Sequence, residues 1–368
     1  MEKSNVKVLY IINNLGTTSI PLEVAQRIRK NKLKISVISM YGKRKKRYKT
    51  KVVEIGAKSK MDFRAIGRLA RTIKKSHPDI VHVHHTLSAF LGPLFAKTLT
   101  EALVIRTEHN NQRHYSILQN IIHWVSQALA DHVLCNSKDT YENLYPPQKW
   151  AIGENWDVVY NGVDVSRIQD ASSREVTLRM DPPGDRIVIG SVGRLVDQKN
   201  YRRLIQAIPS VLEEVPKAHL ILIGDGENRS TLEEEATAQG VEQRVTFAGE
   251  LPRDDVYAAL HQFDLFVMPS LWEGFCNAVV EAMAAGLPVV CSDISTLREV
   301  VGDAALYANP SDPSDIGRAI IELLKSDLAA QKKWGERARR RATERYTIER
   351  TAEKYVETYF KVVGKSSA

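Results

Sequence analysis

Short apolar runs alternate with longer stretches whose apolar positions recur every three or four residues, and the two kinds of segment take turns along this 368-residue chain. Runs at 6–12, 35–40, 80–83, 103–107, 133–136 and 158–160 in the first half have the length and apolar character of strands buried on both faces. Those at 187–192, 220–223, 245–248, 265–268 and 288–291 repeat the pattern in the second. The stretches between them, such as 201–212, the Ala-rich 278–285 and 348–363, read as helices. Strands separated by helices predict parallel sheets, an α/β architecture whose ligands gather at the carboxyl ends of the strands. The length exceeds what one core usually covers, so two domains are expected, each able to bury a sizeable core. The polar stretch 169–184, with Asp181-Pro-Pro-Gly184, separates the halves and places a linker at 165–184.

Two strand ends carry the chemistry. Glu273 and Glu281 stand eight residues apart in Met268-Pro-Ser-Leu-Trp-Glu-Gly-Phe-Cys-Asn-Ala-Val-Val-Glu-Ala-Met-Ala284. One carboxylate belongs to the loop after the strand, the other to the first turns of the next helix. The amides of Gly274, Phe275, Cys276 and Asn277 between them lie at a helix N-terminus, where unpaired N–H groups and the dipole favour an anion. Two diol-binding carboxylates flanking a phosphate cradle describe a nucleotide-sugar site. A glycosidase acid and base usually come from different elements, facing each other across the scissile bond, whereas one local segment carries both here. At the other strand end, in Gly193-Arg-Leu-Val-Asp-Gln-Lys-Asn200, Gly193 lets backbone approach closely. Arg194 offers diphosphate oxygens a planar fork and Lys199 a point charge.

These two segments, with Ala284-Ala-Gly-Leu-Pro-Val-Val290 and Asn161-Gly-Val-Asp164, resemble the retaining glycosyltransferase family 4, strongly over residues 185–310 and more weakly before 160. The resemblance implies a GT-B fold, two doubly wound Rossmann-like domains with parallel sheets facing an interdomain cleft. Residues 1–168 would form the acceptor-binding domain, with a helix at about 346–364 packing back on it, and 169–345 the nucleotide-sugar donor-binding domain. Carried onto this chain, Arg194 and Lys199 bind the donor diphosphate, Glu273 the sugar hydroxyls and Glu281 the ribose. The activity implied is retaining transfer of a hexosyl group from a nucleoside diphosphate sugar, UDP favoured over GDP, to a glycan or lipid-linked acceptor in polysaccharide or glycoconjugate biosynthesis. Arg106-Thr-Glu-His-Asn110 resembles the family's Thr-x-His segment, which places His109 beside the donor phosphates and sugar.

His109, Glu273, Arg194 and Lys199 are therefore the catalytic candidates. The donor site adds Gly193, Gly274, Phe275, Cys276, Asn277, Glu281 and Gly16. Many relatives carry a glycine pair in the first strand-to-helix loop, where Asn13-Asn-Leu-Gly-Thr-Thr-Ser19 has only Gly16. Asn13 and Thr17 of that loop, with His84 and His85 of Ile80-Val-His-Val-His-His85, are the acceptor-side candidates. These histidines have no carboxylate or cysteine at ligand spacing, so they read as cleft lining and not as a metal site. With two cations facing the diphosphate and no Asp-x-Asp motif, neither a metal nor another cofactor is expected. Gly224-Asp-Gly226 and Gly249-Glu-Leu251 end strands near where a base should stack. Cys276, in a position where the family more often has Gly or Ser, reads as a small neighbour of phosphate and not a nucleophile. The alternatives are a GT-B epimerase or phosphorylase, or a noncatalytic membrane- or glycan-binding module; the intact set of Arg194, Lys199, Glu273 and Glu281 argues against the last.

Charge changes the picture of the first half alone. Residues 1–170 hold 27 Lys and Arg against 14 Asp and Glu, a net of +13, and 171–368 hold 25 against 30, a net of −5. The densest run is Tyr41-Gly-Lys-Arg-Lys-Lys-Arg-Tyr-Lys-Thr-Lys51. On a helix beginning near Asp62, Arg64, Arg68, Arg71 and Lys75 share one face. Such a face suits anionic lipid, and no nucleic-acid motif accompanies it. No segment reaches the apolar length needed to span a bilayer. The chain enters its first strand directly and its three cysteines lack paired spacing. The expectation is a cytoplasmic protein, peripheral at the inner face of the membrane.

Overall fold

The computed structural model describes residues 6–15, 20–28, 33–41, 50–59, 62–84, 86–178 and 186–366. Within them the chain forms two compact units, Met1–Gly162 with Ile348–Ala368, and Val163–Thr347. The division falls a few residues before the expected 168/169. Val165–Asp170, expected as linker, is a short helix of the second unit, capped by the Asp164 side chain and tied to the helix Arg253–Leu260 through Arg167 and Asp254 at 2.6 Å. The expected linker residues 179–184 lie outside the described residues.

The first unit holds strands β1 (Val6–Asn14), β2 (Leu33–Tyr41), β3 (Lys51–Glu54), β4 (Ile80–His84), β5 (Leu103–Glu108), β6 (His132–Cys135) and β7 (Trp156–Val158). All pair in parallel in the order β3-β2-β1-β4-β5-β6-β7. The helix Ile348–Ser366 completes this unit. Its Ile348, Ala352, Tyr355, Tyr359 and Val362 follow helical spacing and are buried in one cluster with Val6, Val8, Tyr10 and Ile12 of β1. Tyr359 Oη lies 2.5 Å from Tyr10 Oη and 2.7 Å from His82 Nδ1, and His82 Nε2 lies 2.7 Å from Thr107 Oγ1. His82 is thus a satisfied core residue, its pKa pushed well down by burial and then by His109.

The second unit holds β8 (Ile187–Val192), β9 (Ala218–Ile223), β10 (Val245–Gly249), β11 (Leu265–Met268), β12 (Val289–Ser292) and β13 (Leu306–Ala308). They are parallel in the order β10-β9-β8-β11-β12-β13. Both sheets are doubly wound, with the strand order reversing between β1 and β4 in one unit and between β8 and β11 in the other. These are the topological switch points at which open α/β sheets bind ligands.

His219 on β9 is buried with Arg186 Nη1 donating to Nδ1, which leaves Nε2 to donate to Thr246 Oγ1 at 2.7 Å. Burial, then the charges of Arg186 and Arg244, push its pKa down from 6.5 to about 4. The folded protein keeps the ring neutral where an unfolded chain takes a proton. Stability present above pH 6.5 should therefore be lost as pH falls from 6.5 to about 4. Thermal melts across that window should fall more steeply for the wild type than for His219→Gln. Parallel curves would remove His219 as the cause.

Candidate functional site

In the second unit, the loop leaving β8 and the loop leaving β11 meet at the switch point. Leu271 N donates to Gln198 O at 2.9 Å, and Gln198 Nε2 donates to Trp272 O at 2.9 Å. Asn200, held at φ 55°, clamps the same junction by donating Nδ2 to Pro269 O (3.0 Å) and Pro310 O (2.7 Å). The β8 loop is also fixed to the exit of β9. Gly193 N donates to Ile223 O, and a Cβ at Gly224 would stand 2.0 Å from Gly193 O. Only glycine permits that approach, and φ of +135° at Gly224 independently demands it.

This scaffold brings Lys199 Nζ to 2.5 Å from Glu273 Oε1, with both side chains largely buried. Ser270 Oγ donates to the same oxygen at 2.8 Å, and Thr296 Oγ1 donates to the Glu273 carbonyl at 3.0 Å. Burial acts to lower the pKa of Lys199, but the Glu273 carboxylate outweighs it and holds the ammonium charged far above the usual range. Gly193 lies against this cation. A Cβ there would fall 2.8 Å from Tyr201 Oη and 3.2 Å from Lys199 Cε, so the glycine keeps the lysine in place. Tyr201 itself is pushed up to about 12 by burial and stays a neutral phenol. The Arg194 side chain, by contrast, is exposed and makes no hydrogen bond or ion pair among the described residues, while its carbonyl accepts from Val196 N at 2.9 Å. It is a cation available to a ligand.

Past Glu273 the chain turns into the helix Asn277–Ala285 through Cys276 at φ 70°. Phe275 is buried edge-on to Tyr346, with ring centroids 5.3 Å apart. The Cys276 thiol is buried and pushed far up, first by burial and then by the Glu273 charge, which keeps it from acting as a thiolate. Glu281 also lies within, where its Oε1 accepts from Arg253 Nη2 at 2.5 Å, while Arg253 Nε donates to Tyr257 Oη at 2.6 Å. Sequence reasoning did not find Arg253, Ser270, Gln198 or Thr296. Ser270 carries a local signal, three residues before Glu273. Arg253 has none, because its partner is 28 residues away.

In the first unit, His84 at the end of β4 is buried, with Nδ1 3.0 Å from His109 Nε2. Asn136 Nδ2 fixes the His109 loop by donating to its carbonyl at 3.0 Å. His84 stacks toward His82, ring centroids 4.2 Å apart, so it supports His109 from beneath. Asn13, at the exit of the neighbouring β1, has a buried Oδ1 without a partner among the described residues. Gly16, Thr17 and His85 lie outside the described residues. No group of three His, Cys, Asp or Glu among the described residues is arranged to hold a metal ion.

Two doubly wound units, one with a buried Lys–Glu pair beside a helix N-terminus at its switch point, define a GT-B glycosyltransferase architecture. Comparison with known proteins agrees. The glycosyl transferases group 1 model matches residues 179–341 and the glycosyltransferase family 4 model matches residues 16–167. An uncharacterized glycosyltransferase of Methanocaldococcus jannaschii is 30% identical over 300 residues, which are 76% of this chain and 75% of that protein. The 2-deoxystreptamine glucosyltransferase of Streptomyces kanamyceticus is 30% identical over 189 residues, 48% of this chain, and there the match spans about half of the relative (49%). The crystal structure of Anabaena HepE in complex with UDP and glucose superposes with a TM-score of 0.78 at 20% identity, covering 96% of this chain and 99% of that one. The chain belongs to the group 1 glycosyl transferases of glycosyltransferase family 4, and it is a hexosyltransferase by class.

Proposed function

We propose that this chain, a group 1 glycosyltransferase working from a nucleotide-sugar donor, transfers a hexosyl group from a UDP-sugar to a glycan or lipid-linked acceptor with retention of anomeric configuration. The observation that carries the reading is the buried Lys199–Glu273 pair at the β8/β11 switch point, with Arg194 available beside it. UDP is favoured because a solved neighbour of the same fold, Anabaena HepE, holds UDP and glucose. In this reading Arg194 and Lys199 receive the diphosphate, the amides opening Asn277–Ala285 add to the cradle, and Glu273 accepts from sugar hydroxyls. Glu281, whose Oε1 also accepts from Arg253, takes the ribose; His109 stands beside the donor phosphates and sugar, and Asn13 and His84 serve the acceptor side.

The acceptor oxygen forms a bond to the anomeric carbon as the bond from that carbon to the β-phosphate oxygen breaks. The departing phosphate takes the acceptor's proton, so the acceptor attacks from the face that the phosphate leaves and the anomeric configuration is retained. The cations and amides stabilise the charge that gathers on the diphosphate, and neither a metal nor another cofactor is called for. The basic first half holds the enzyme at the inner face of an anionic membrane, where lipid-linked acceptors reside. No helix among the described residues is long and apolar enough to cross a membrane.

Thermal protection and donor hydrolysis with UDP-, GDP- and ADP-sugars test the reading. A ligand at about 100 times its Kd should stabilise by about 2.7 kcal/mol. UDP-sugar should protect and be cleaved, and Arg194→Ala should cut turnover about 10²–10³-fold while leaving the unliganded melt unchanged. Protection by a glycosyl phosphate alone would make the protein a phosphorylase. Protection by no nucleotide sugar would end the proposal.

A further inference from the structure

The helix Ile117–Ala128 of the first unit is turned inside out. Its buried residues are polar, His123, Ser126 and Gln127. They close over Glu108, whose carboxylate accepts from Gln112 Nε2 and Gln127 Nε2, each at 2.8 Å, and pairs with Arg106 Nε. Burial acts to raise the Glu108 pKa, yet the Arg106 charge and His123 outweigh it and hold the carboxyl below the usual range. This polar cluster, in which Arg106 Nη2 also reaches His123 Nδ1 at 2.6 Å, fixes which side of the helix faces in.

The side facing out is Ile117, Leu118, Ile121, Trp124 and Val125, all exposed, the first two at 83% and 67%. The helix Pro146–Ile152 packs beside it and carries Trp150, 82% exposed. Residues 115–130 contain no Asp, Glu, Lys or Arg. Single exposed apolar residues are ordinary on a protein surface, but a contiguous cluster marks an interaction site. Exposed Arg113 and Lys138 stand at its margins in the sequence, within the half of the chain that carries the net charge of +13.

We infer that the outward face of Ile117–Ala128, with Trp150, seats in the headgroup region of an anionic bilayer. The inference rests on the peripheral-membrane reading above and names the surface that performs it. The net charge of +13 on this half of the chain attracts anionic lipid and opposes pairing of this face with the same half of a second copy. Trp124 and Trp150 are the side chains that favour a membrane–water boundary. At 12 residues the helix is about 18 Å long, too short to cross a bilayer, so it lies in the surface plane. It begins shortly after His109, whose ring meets that of the acceptor-side candidate His84 at 3.0 Å, so docking would place the acceptor side of this unit next to lipid.

Cosedimentation with vesicles of phosphatidylcholine, with and without phosphatidylglycerol, tests this using the full chain. Wild type should bind the anionic vesicles, and Ile117→Glu and Trp150→Ser should each lose about tenfold or more in partitioning while UDP-sugar hydrolysis in solution is unchanged. Bromolipids should quench the wild-type tryptophan emission, a readout that needs no variant. If both variants bind like wild type and 0.5 M salt (on the order of a 4 Å screening length) releases all three, the membrane reading stands on charge alone and the apolar docking face is overturned. If wild type ignores vesicles, both readings fall. A dimer that Ile117→Glu dissociates would reassign the face to a second copy.

Discussion

Lys199→Met should abolish measurable transfer and at the same time destabilise the second unit by about 3–5 kcal/mol. Removing one partner of a buried ion pair leaves the other charge uncompensated. Among the described residues Glu273 would keep neutral hydrogen-bond partners, Ser270 Oγ at 2.8 Å and Gln198 Nε2 at 3.4 Å among them. Adding Glu273→Gln in the same chain removes the stranded charge, so Lys199→Met/Glu273→Gln should recover most of the lost stability. It should recover none of the activity, because in the proposed donor site the cation that faces the diphosphate is still missing. Denaturant melts and a transfer assay on the four proteins of this cycle separate the two roles. If the double variant regains activity, the pair is a strut and the donor site lies elsewhere.

Glu281→Ala should cost a similar 3–5 kcal/mol, because it strands the buried Arg253 guanidinium. The informative variant is Arg253→Met/Glu281→Leu, in which well-packed apolar residues replace the pair and stability returns to near the wild-type value. Calorimetric titration with UDP should still show binding weakened by about 1.5–3 kcal/mol, the worth of a lost hydrogen bond to a charged group. Undiminished UDP affinity would make Glu281 a structural partner of Arg253 and remove it from the ribose site.

The contrast between these two glutamates shows what the sequence carried. Glu273, Lys199 and Arg194 were legible as candidates because each sits in a short loop between an unmistakable strand and helix, and the structure brings the first two together at 2.5 Å. The Arg253–Glu281 pair was not, since nothing in either segment marks the other. Strands were found where apolar runs were continuous. β3, Lys51-Val-Val-Glu54, was missed because it is a short edge strand with charged ends, and β13 because three residues carry no pattern. The strand expected at 158–160 is β7 at Trp156–Val158, shifted because this edge strand is only half buried. The basic face expected at Arg64, Arg68, Arg71 and Lys75 stands on the helix Phe63–Ser76, but Arg68 turns aside to donate to Ile55 O at 3.0 Å, leaving the other three exposed. Periodicity also could not show that Ile117–Ala128 faces its apolar side outward, because the partner of its polar side, Glu108, lies on a neighbouring strand.

The return of Ile348–Ser366 to the first unit has a consequence for how the protein is made. Val163 pairs with Thr347 where the chain departs and comes back, so everything between is synthesised before the first unit can be finished. At about 5–20 residues per second, the intervening stretch takes roughly 10–40 s to emerge from the ribosome. Throughout that interval the face of β1 bearing Val6, Val8, Tyr10 and Ile12 waits without the helix that seals it. The half of the chain translated first is the half completed last, and its nascent form is the one most in need of a chaperone.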